Sequence, residues 1–387
     1  METLRLIAGM RMGRWLPVDH HRGPRRPGPS NRCSDLWELS VRVASLSVDI
    51  LPPKSRNVMR CHEPGYQHLV NYYRGSSIIC RKASLKRTLL DYCQHQGIEH
   101  LEWLPETFVI YPTNASVDET LEHNNIQQLK ATARLQKDER RQLESSFIND
   151  HQKIWIAKSS NGAKGEGIFL STNYHDIVTT IDAQSHVYVV QRYIDDPLLL
   201  TGKRKFDIRC WVLLDHDYNI HLFKEGVLRT ASDPYTAEDL SQSQLTSHLT
   251  NHSLQETNSP NYGRYEEGNE MCFDDFNRFL QDNHNVTLQD SLLPQMKKII
   301  FTCLSAIREL IHTTDLPYRS FQLFGFDFLI DRWFKVWLIE INGAPACAEH
   351  LLPSLLQSIK LTAIDPVYPP PEHDDGIENL FEIIESS

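Results

Sequence analysis

Three oxygen-bearing side chains stand out in FGFDFLIDRWFKVWLIEINGAP, residues 324–345. They are Asp327, Glu340 and Asn342, set among residues that read as buried strand. A carboxylate left uncompensated in such surroundings is costly, so something must offset it. GFDFLI and VWLIEI form two strands joined by the polar bend DRWFK, and a turn centred near Phe334 sets Asp327 within a residue or two of Glu340. Residues two apart on a strand share a face, which brings Asn342 to the side of Glu340. Two carboxylates and an amide oxygen, without sulfur or imidazole, suit Mg²⁺, which keeps its waters and shares substrate phosphates; they do not suit zinc. The competing reading is a solvated hairpin face carrying two surface acids.

The stretch KIWIAKSSNGAKGEGIFL supplies a phosphate-binding counterpart. A strand ending in Lys158 runs into a tip holding Gly162, Lys164, Gly165 and Gly167, then out into a second apolar strand. Backbone N–H groups and an ammonium on such a tip can fold over phosphates. The tip is not a P-loop, since GxxxxGK[ST] is absent, nor a Rossmann turn, since its glycines precede a strand. Alone it would pass for a mere turn; beside the oxygen triad it points to a nucleotide. In RKFDIRCWV, Phe206, Ile208, Cys210 and Val212 face a core, and Lys205, Asp207 and Arg209 face the other way. On a central strand Lys205 could hold a phosphate, Asp207 orient it or the metal, and Arg209 clamp a carboxylate in bidentate fashion. On an edge strand the same stripe would be a surface salt-bridge ladder. Arg229 in EGVLRTAS and Thr250–Asn251 in HLTNH add a cation and two neutral hydrogen-bonding groups, each of which also suits a turn or a cap.

Short β-rich runs must position these groups: KIWIAK, GIFLST, HVYVVQRYI, KFDIRCWVLLD and NIHLFKEGVLR. CRKASLKRTLLDYC reads as a helix with Leu85, Leu89 and Leu90 on one side. Residues 291–312 read as another, with Leu293, Met296, Ile300, Cys303, Ile307 and Leu310 at helical spacing and Pro294 tolerated in its first turn. The pattern is α+β. It divides into a basic, proline-rich lead over 1–57 expected to be loosely ordered, a domain-like region from 58 to 112, and a polar linker or exposed helix over 113–152. A lobe over 153–200, a larger lobe over 201–371 and an acidic tail over 372–387 follow.

A chain of 387 residues is expected to hold two or three domains, and 40% hydrophobic with 23% charged residues describes a soluble globular protein. No apolar run approaches the ~18 residues needed to span a bilayer. The first residues are too short in their apolar part, and too broken by arginine, for a secretory signal, so a cytosolic protein is expected. None of the eight cysteines forms a CxxC pair. They read as free thiols, and the sequons at Asn114, Asn251 and Asn285 are expected to carry no sugar. Residues 1–90 hold 16 Lys+Arg against 6 Asp+Glu, and the remainder 24 against 44. The basic third suits an acidic polymer. Without an aromatic-interleaved motif, an acidic peptide fits better than nucleic acid.

Read together, NYYRG, CRKASL, WIAKSSNGAKGEGI, PLLL, RKFDIRCWVL, EGVLRTAS, NYGRYEEGNEM, SFQLFGFDF and KVWLIEINGAPAC resemble the tubulin–tyrosine ligase family of the ATP-grasp superfamily, over roughly 58–370. The resemblance implies an ATP-grasp fold with central and C-terminal lobes of antiparallel sheet flanked by helices. Residues 58–112 would then be the remnant of an N-terminal tubulin-docking region and the start of the central domain; 1–57 do not resemble the family. It further implies that Lys158 and Lys164 contact ATP phosphates, that Gln191, Arg192, Tyr193 and Ile194 form the hinge reading adenine, and that Lys205, Asp207, Thr250 and Asn251 hold nucleotide. Asp327, Glu340 and Asn342 would ligate Mg²⁺, with K⁺ as a further family ion. Arg209 and Arg229 would bind substrate carboxylates, and Lys82 would lie on the tubulin-facing surface. HEPG…LVNYYRG and EEGNEM point within the family to a tyrosine ligase. It would add L-tyrosine to the C-terminal glutamate of detyrosinated α-tubulin through an acyl phosphate, as a cytoplasmic, cytoskeleton-associated monomer acting on the αβ-tubulin dimer, with no nucleic-acid or membrane partner. The alternatives are a polyglutamylase- or glycylase-type ligase and a non-catalytic tubulin-binding grasp-fold protein.

Overall fold

The computed structural model describes residues 65–66, 69–113, 137–150, 152–160, 167–241, 244–311, 318–370 and 378–385, with a few isolated positions besides. The readings of the 1–57 lead, of 114–136 within the linker, and of Gly162, Lys164 and Gly165 lie outside the described residues.

Two antiparallel sheets carry the architecture. The smaller has the order β3 (Thr107–Ile110), β6 (Tyr188–Arg192), β4 (Trp155–Ser159), β5 (Phe169–Ser171). The strands flanking the glycine-rich tip, β4 and β5, pair directly, Ala157 opposite Phe169. Helices α2 (Arg140–Asn149) and α3 (Tyr174–Asp182) cover one face, burying Leu143, Phe147, Ile177 and Ile181 against Trp155 and Val190. The polar 113–152 stretch therefore ends in a helix whose two apolar side chains, four residues apart, are core. Asn173 starts α3 by accepting hydrogen bonds from the N–H groups of His175 and Asp176.

The larger sheet runs β12 (Val336–Asn342), β11 (Gln322–Ile330), β7 (Arg204–Leu214), β8 (Ile220–Pro234), β13 (Phe381–Ile383), with β9 (Glu270–Cys272) also paired to β8. Every residue of β7 is buried. Its stripe of Lys205, Asp207 and Arg209 thus lies on a central strand, and the edge-ladder reading falls. Phe206, Ile208, Cys210 and Val212 pack under α4 (Phe273–His284) and α5 (Leu293–Ser305). Gly226 is required here, since a Cβ would come within 2.1 Å of the Phe273 ring. Trp211 and Leu213, on the opposite face, meet Leu355 of α6 (Leu352–Ile359). Three very short strands, β1 (Gly65–Tyr66), β2 (Leu69–Val70) and β10 (Arg319–Ser320), form a third sheet, and α1 (Lys82–Gln96) follows it.

Two helix expectations need correction. In α1, Leu85 and Leu89 are buried but Leu90 is 43% exposed, because a residue next to Leu89 lies about 100° further round the helix. The helix expected over 291–312 starts at Leu293, keeps Pro294 in its first turn and ends at Ser305. There the Ile307 N–H bonds the Leu304 carbonyl, which closes the α ladder into tighter turns. Ile307 stays buried, and Leu310 is exposed.

The β11–β12 hairpin ties the sheets together. Phe334 takes φ 63° in its turn, and the tip clasps the segment after β6: Leu198 N–H to Ile330 O at 2.8 Å, Arg332 N–H to Asp196 O at 3.0 Å. Between the sheets lies a cavity of about 510 Å³.

Candidate functional site

The hairpin register sets Asp327 directly opposite Glu340, and a bulge between Asp327 and Phe328 shifts the pairing to Phe328–Leu338. Asp327, Glu340 and Asn342 all reach the cavity wall, and the amide of Asn342 lies 3.2 Å from Asp327 and 3.4 Å from Glu340. The solvated-face alternative is excluded, since Asp327 is 0% exposed.

The compensation that the opening residues demand consists of cations. Asp327 receives the fork of its cross-strand partner Arg209, with Nη2–Oδ2 at 2.9 Å, and Arg229 Nη2 at 2.8 Å. Arg229 also holds Asp207, Nε to Oδ1 at 2.8 Å. Glu340 is met by Lys82 at 3.1 Å. Burial acts to raise the Glu340 carboxyl, but Lys82, then Arg229 and Lys158, reverse this and hold it well below the usual carboxylate range. Burial raises Asp327, and the two guanidiniums oppose it.

Two residues singled out by the sequence have partners here. Lys82, which the resemblance sets on the tubulin-facing surface, lines the cavity and neutralises Glu340. Arg209 is spent on Asp327 and does not line the cavity, so it is a positioning group rather than a free clamp for substrate. Gly325 allows this: a Cβ there would press on Pro345 at 2.5 Å and on Arg209 at 3.2 Å.

Two lysines face these acids. Lys158 donates to Gln191 Oε1 at 3.1 Å, and Gln191 in turn donates to Thr107 at 3.1 Å. Lys205 donates to the Tyr193 hydroxyl at 2.7 Å, which lies 3.0 Å from His248 Nδ1. His248 Nε2 approaches the Asp239 carbonyl at 2.8 Å, so Nδ1 is left to accept from Tyr193. Burial pushes Lys158 down to about 8 and Lys205 to about 7, each helped by another ammonium, Lys82 for the first and Lys158 for the second. Gln191, Arg192, Tyr193 and Ile194 border the same cavity, as do Thr250 and Asn251. Asn251 stands at the N-cap of the short helix His252–Asn258 without a side-chain cap bond. Ile156, Ile168, Leu249 and Leu329 add an apolar wall suited to a flat ring.

Sequence reasoning missed His248, the Tyr193 hydroxyl and this apolar wall. Leu329 was legible, being two residues from Asp327 on the same strand face. His248 carries no such signal, because it closes the four-residue helix Leu245–His248, which no sequence pattern marks.

The acidic set fits Mg²⁺. Among the described residues no cluster of three or more His, Cys, Asp or Glu could cage a metal. A pair of carboxylates plus one amide suits an ion that keeps waters and takes phosphate oxygens. Both carboxylates already face cations, so the wall is built to balance charge there.

The chain matches the model of the Tubulin-tyrosine ligase family over residues 60–375. It belongs to that family. Its mixed helices and antiparallel sheets are the family's ATP-grasp-like fold. It is 32% identical over 233 residues to tubulin glycylase 3A of Drosophila melanogaster, covering 56% of this chain and 23% of that protein. It is 30% identical over 293 residues to tubulin polyglutamylase TTLL7 of Mus musculus, covering 72% and 29%. To the probable tubulin polyglutamylase TTLL2 of Mus musculus it is 28% identical over 279 residues, covering 72% and 46%. The chain thus spans less than half the length of each of these relatives. They are glycylases and polyglutamylases, whereas the motifs alone had pointed to a tyrosine ligase. Those motif residues have structural employment: Tyr73 is buried with its hydroxyl on the Asp215 carbonyl, Glu266 takes Nη1 and Nη2 of Arg204 at 2.7 Å each, and Asn269 donates to Thr230 O at 2.8 Å.

Proposed function

We propose that this chain is an ATP-dependent ligase that joins an amino acid to a carboxylate of tubulin, with glycine or glutamate added to a glutamate side chain as the first choice. The observation that carries the ligase reading is the convergence of Lys158 and Lys205 with Asp327, Glu340 and Asn342 around one cavity. The relatives support glycine or glutamate ahead of tyrosine. Tyrosine addition to the C-terminal glutamate of α-tubulin stays as the second reading, on the likeness of NYGRYEEGNEM, whose buried structural contacts lessen its weight as a selector. The αβ-tubulin dimer as partner and a cytoplasmic, cytoskeletal setting follow from the same reading.

A carboxylate is a poor electrophile, so the γ-phosphoryl group of ATP is passed to it, ADP leaves, and the amine displaces phosphate from the acyl phosphate. Asp327, Glu340 and Asn342 would hold Mg²⁺, which would supply charge that offsets the terminal phosphates. Lys158 and Lys205 grip those phosphates, with Lys164 as a third ammonium from the tip. Residues 191–194, at and just beyond the end of β6, would border the base, with the N–H groups of Arg192 and Tyr193 already bonded to the Glu106 and Ile154 carbonyls, and Thr250 and Asn251 would add neutral hydrogen bonds. Arg209 fixes Asp327, and Arg229, held by Asp207 and Asp327 through Nε and Nη2, keeps Nη1 for a substrate carboxylate.

The lysines make the pH dependence specific. Both ammoniums are already losing protons between about pH 7 and 8 in the free protein. Phosphates favour the charged form, so bound ATP raises both values again. Then kcat/KM for ATP, which reports the free protein, falls as pH rises through this window, and kcat holds to higher pH. Parallel profiles of both parameters check this; a kcat/KM that stays level through the window contradicts the phosphate roles.

The identity of the amino acid is tested by offering tubulin, ATP and Mg²⁺ with radiolabelled glycine, L-glutamate or L-tyrosine in parallel. Glycine or glutamate is expected to enter. Tyrosine alone would promote the second reading, and no ATP-dependent incorporation would leave a non-catalytic tubulin-binding protein.

A further inference from the structure

Glu270 is a carboxylate that the scheme above leaves unused. It lies in EEGNEM, on β9, in direct register with Arg229 of β8. Residues directly opposite on antiparallel strands project from the same face. Glu270 therefore stands on the sheet face that carries Asp207, Arg229 and Asp327, one strand beyond Arg229 and on the side away from Glu340. Neighbouring strands are about 4.8 Å apart, so Glu270 is the next position outward from Arg229 and lies three strands, roughly 14 Å, from Asp327 on β11.

Two features mark it as a ligand site rather than part of the scaffold. The Glu270 carboxylate has no hydrogen-bond or ion-pair partner among the described residues, although it is only partly exposed. Arg229 directs Nε and Nη2 to Asp207 and Asp327, and its Nη1 has no partner among the described residues. An unpaired anion and an unspent guanidinium nitrogen thus sit side by side. The charged and titratable groups that face Glu270 are Arg229 on β8, Arg209 on β7, His252 on the short helix His252–Asn258, and His350 in the 3-10 helix Glu349–Leu351; burial outweighs all four and raises its carboxyl above the ordinary value.

We infer that Glu270 and Arg229 together bind the backbone of the incoming amino acid, Glu270 taking its α-ammonium and Arg229 its α-carboxylate. This rests on the ligase reading and assigns the second substrate within it. A zwitterion offers the same two charges whatever its side chain, so the pair suits glycine, glutamate and tyrosine alike. The ammonium must become an amine before it can attack. One proton passes from nitrogen to the Glu270 carboxylate, and the freed lone pair attacks the acyl carbon. The C–N bond forms, the C–O bond to phosphate breaks, inorganic phosphate leaves, and the amide nitrogen gives up its second proton to water.

Hydroxylamine separates this role from the rest of the reaction. It attacks acyl phosphates as a neutral nucleophile near pH 7 and carries no carboxylate, so it needs neither half of the pair. Full-length chain and its Glu270→Gln variant are given tubulin, ATP and Mg²⁺, once with the labelled amino acid that is incorporated and once with hydroxylamine. The variant is expected to lose at least about tenfold more of amino-acid transfer than of hydroxamate formation, chiefly through a higher KM for the amino acid. Glu270→Asp, which keeps the charge, should recover part of that loss. Equal losses in both readouts, or no loss in either, overturn the assignment. If the unsubstituted chain forms no hydroxamate, the ligase reading falls, and this assignment with it.

Discussion

Glu340→Gln is expected to lower ADP formation by ~10²–10³ with the fold left intact. The change removes one of two carboxylates facing the phosphate end of the cavity while keeping the shape of the side chain. Its cost to stability is small for a definable reason. Glu340 and Lys82 remain 26% and 18% exposed, and a partly solvated pair of this kind contributes up to about 1 kcal/mol. The freed Lys82 keeps access to water. ADP release and the thermal midpoint should therefore part company, activity collapsing and the midpoint hardly moving. Unchanged turnover would dismiss the metal assignment for Glu340.

Asp327→Asn should fail on both counts. Its carboxylate is wholly buried and holds two guanidiniums, Arg209 and Arg229. Taking away the anion leaves two cations without their shared counter-charge, and breaking a buried pair in this way typically costs about 3–5 kcal/mol. Asp207 still balances Arg229, so the loss falls mainly on Arg209, whose remaining contact is a 3.5 Å approach to the Ala346 carbonyl. Denaturant unfolding of the variant measures the stability loss, and ADP formation measures the chemistry. A variant as stable as the parent chain would show that the network bears little load.

The contrast between these residues marks where the sequence could be read. The strand period and one turn suffice to bring Asp327 and Glu340 together, because a two-stranded hairpin is local and its register follows from its bend. The same alternation separates Lys205, Asp207 and Arg209 from their apolar neighbours on β7. What β7 neighbours is not local, however. The pairing of Arg209 with Asp327 joins positions 118 residues apart, so a guanidinium that reads as a free clamp turns out to be committed. The pairing of Lys82 with Glu340 is hidden from the sequence for the same reason, since it joins a helix start to a distant strand. The helix that stops at Ser305 failed differently, since apolar spacing continues past the point where the backbone tightens.

The central claim is that the β11–β12 hairpin and the lysines opposite hold one magnesium-bound triphosphate. Calorimetric titration with a non-hydrolysable ATP analogue tests it without any turnover. The account predicts that replacing Mg²⁺ by EDTA, or Glu340 by Gln, weakens binding by at least about tenfold, the loss of one strong charge contact. Equal affinity with and without Mg²⁺, undisturbed by Glu340→Gln, would contradict it.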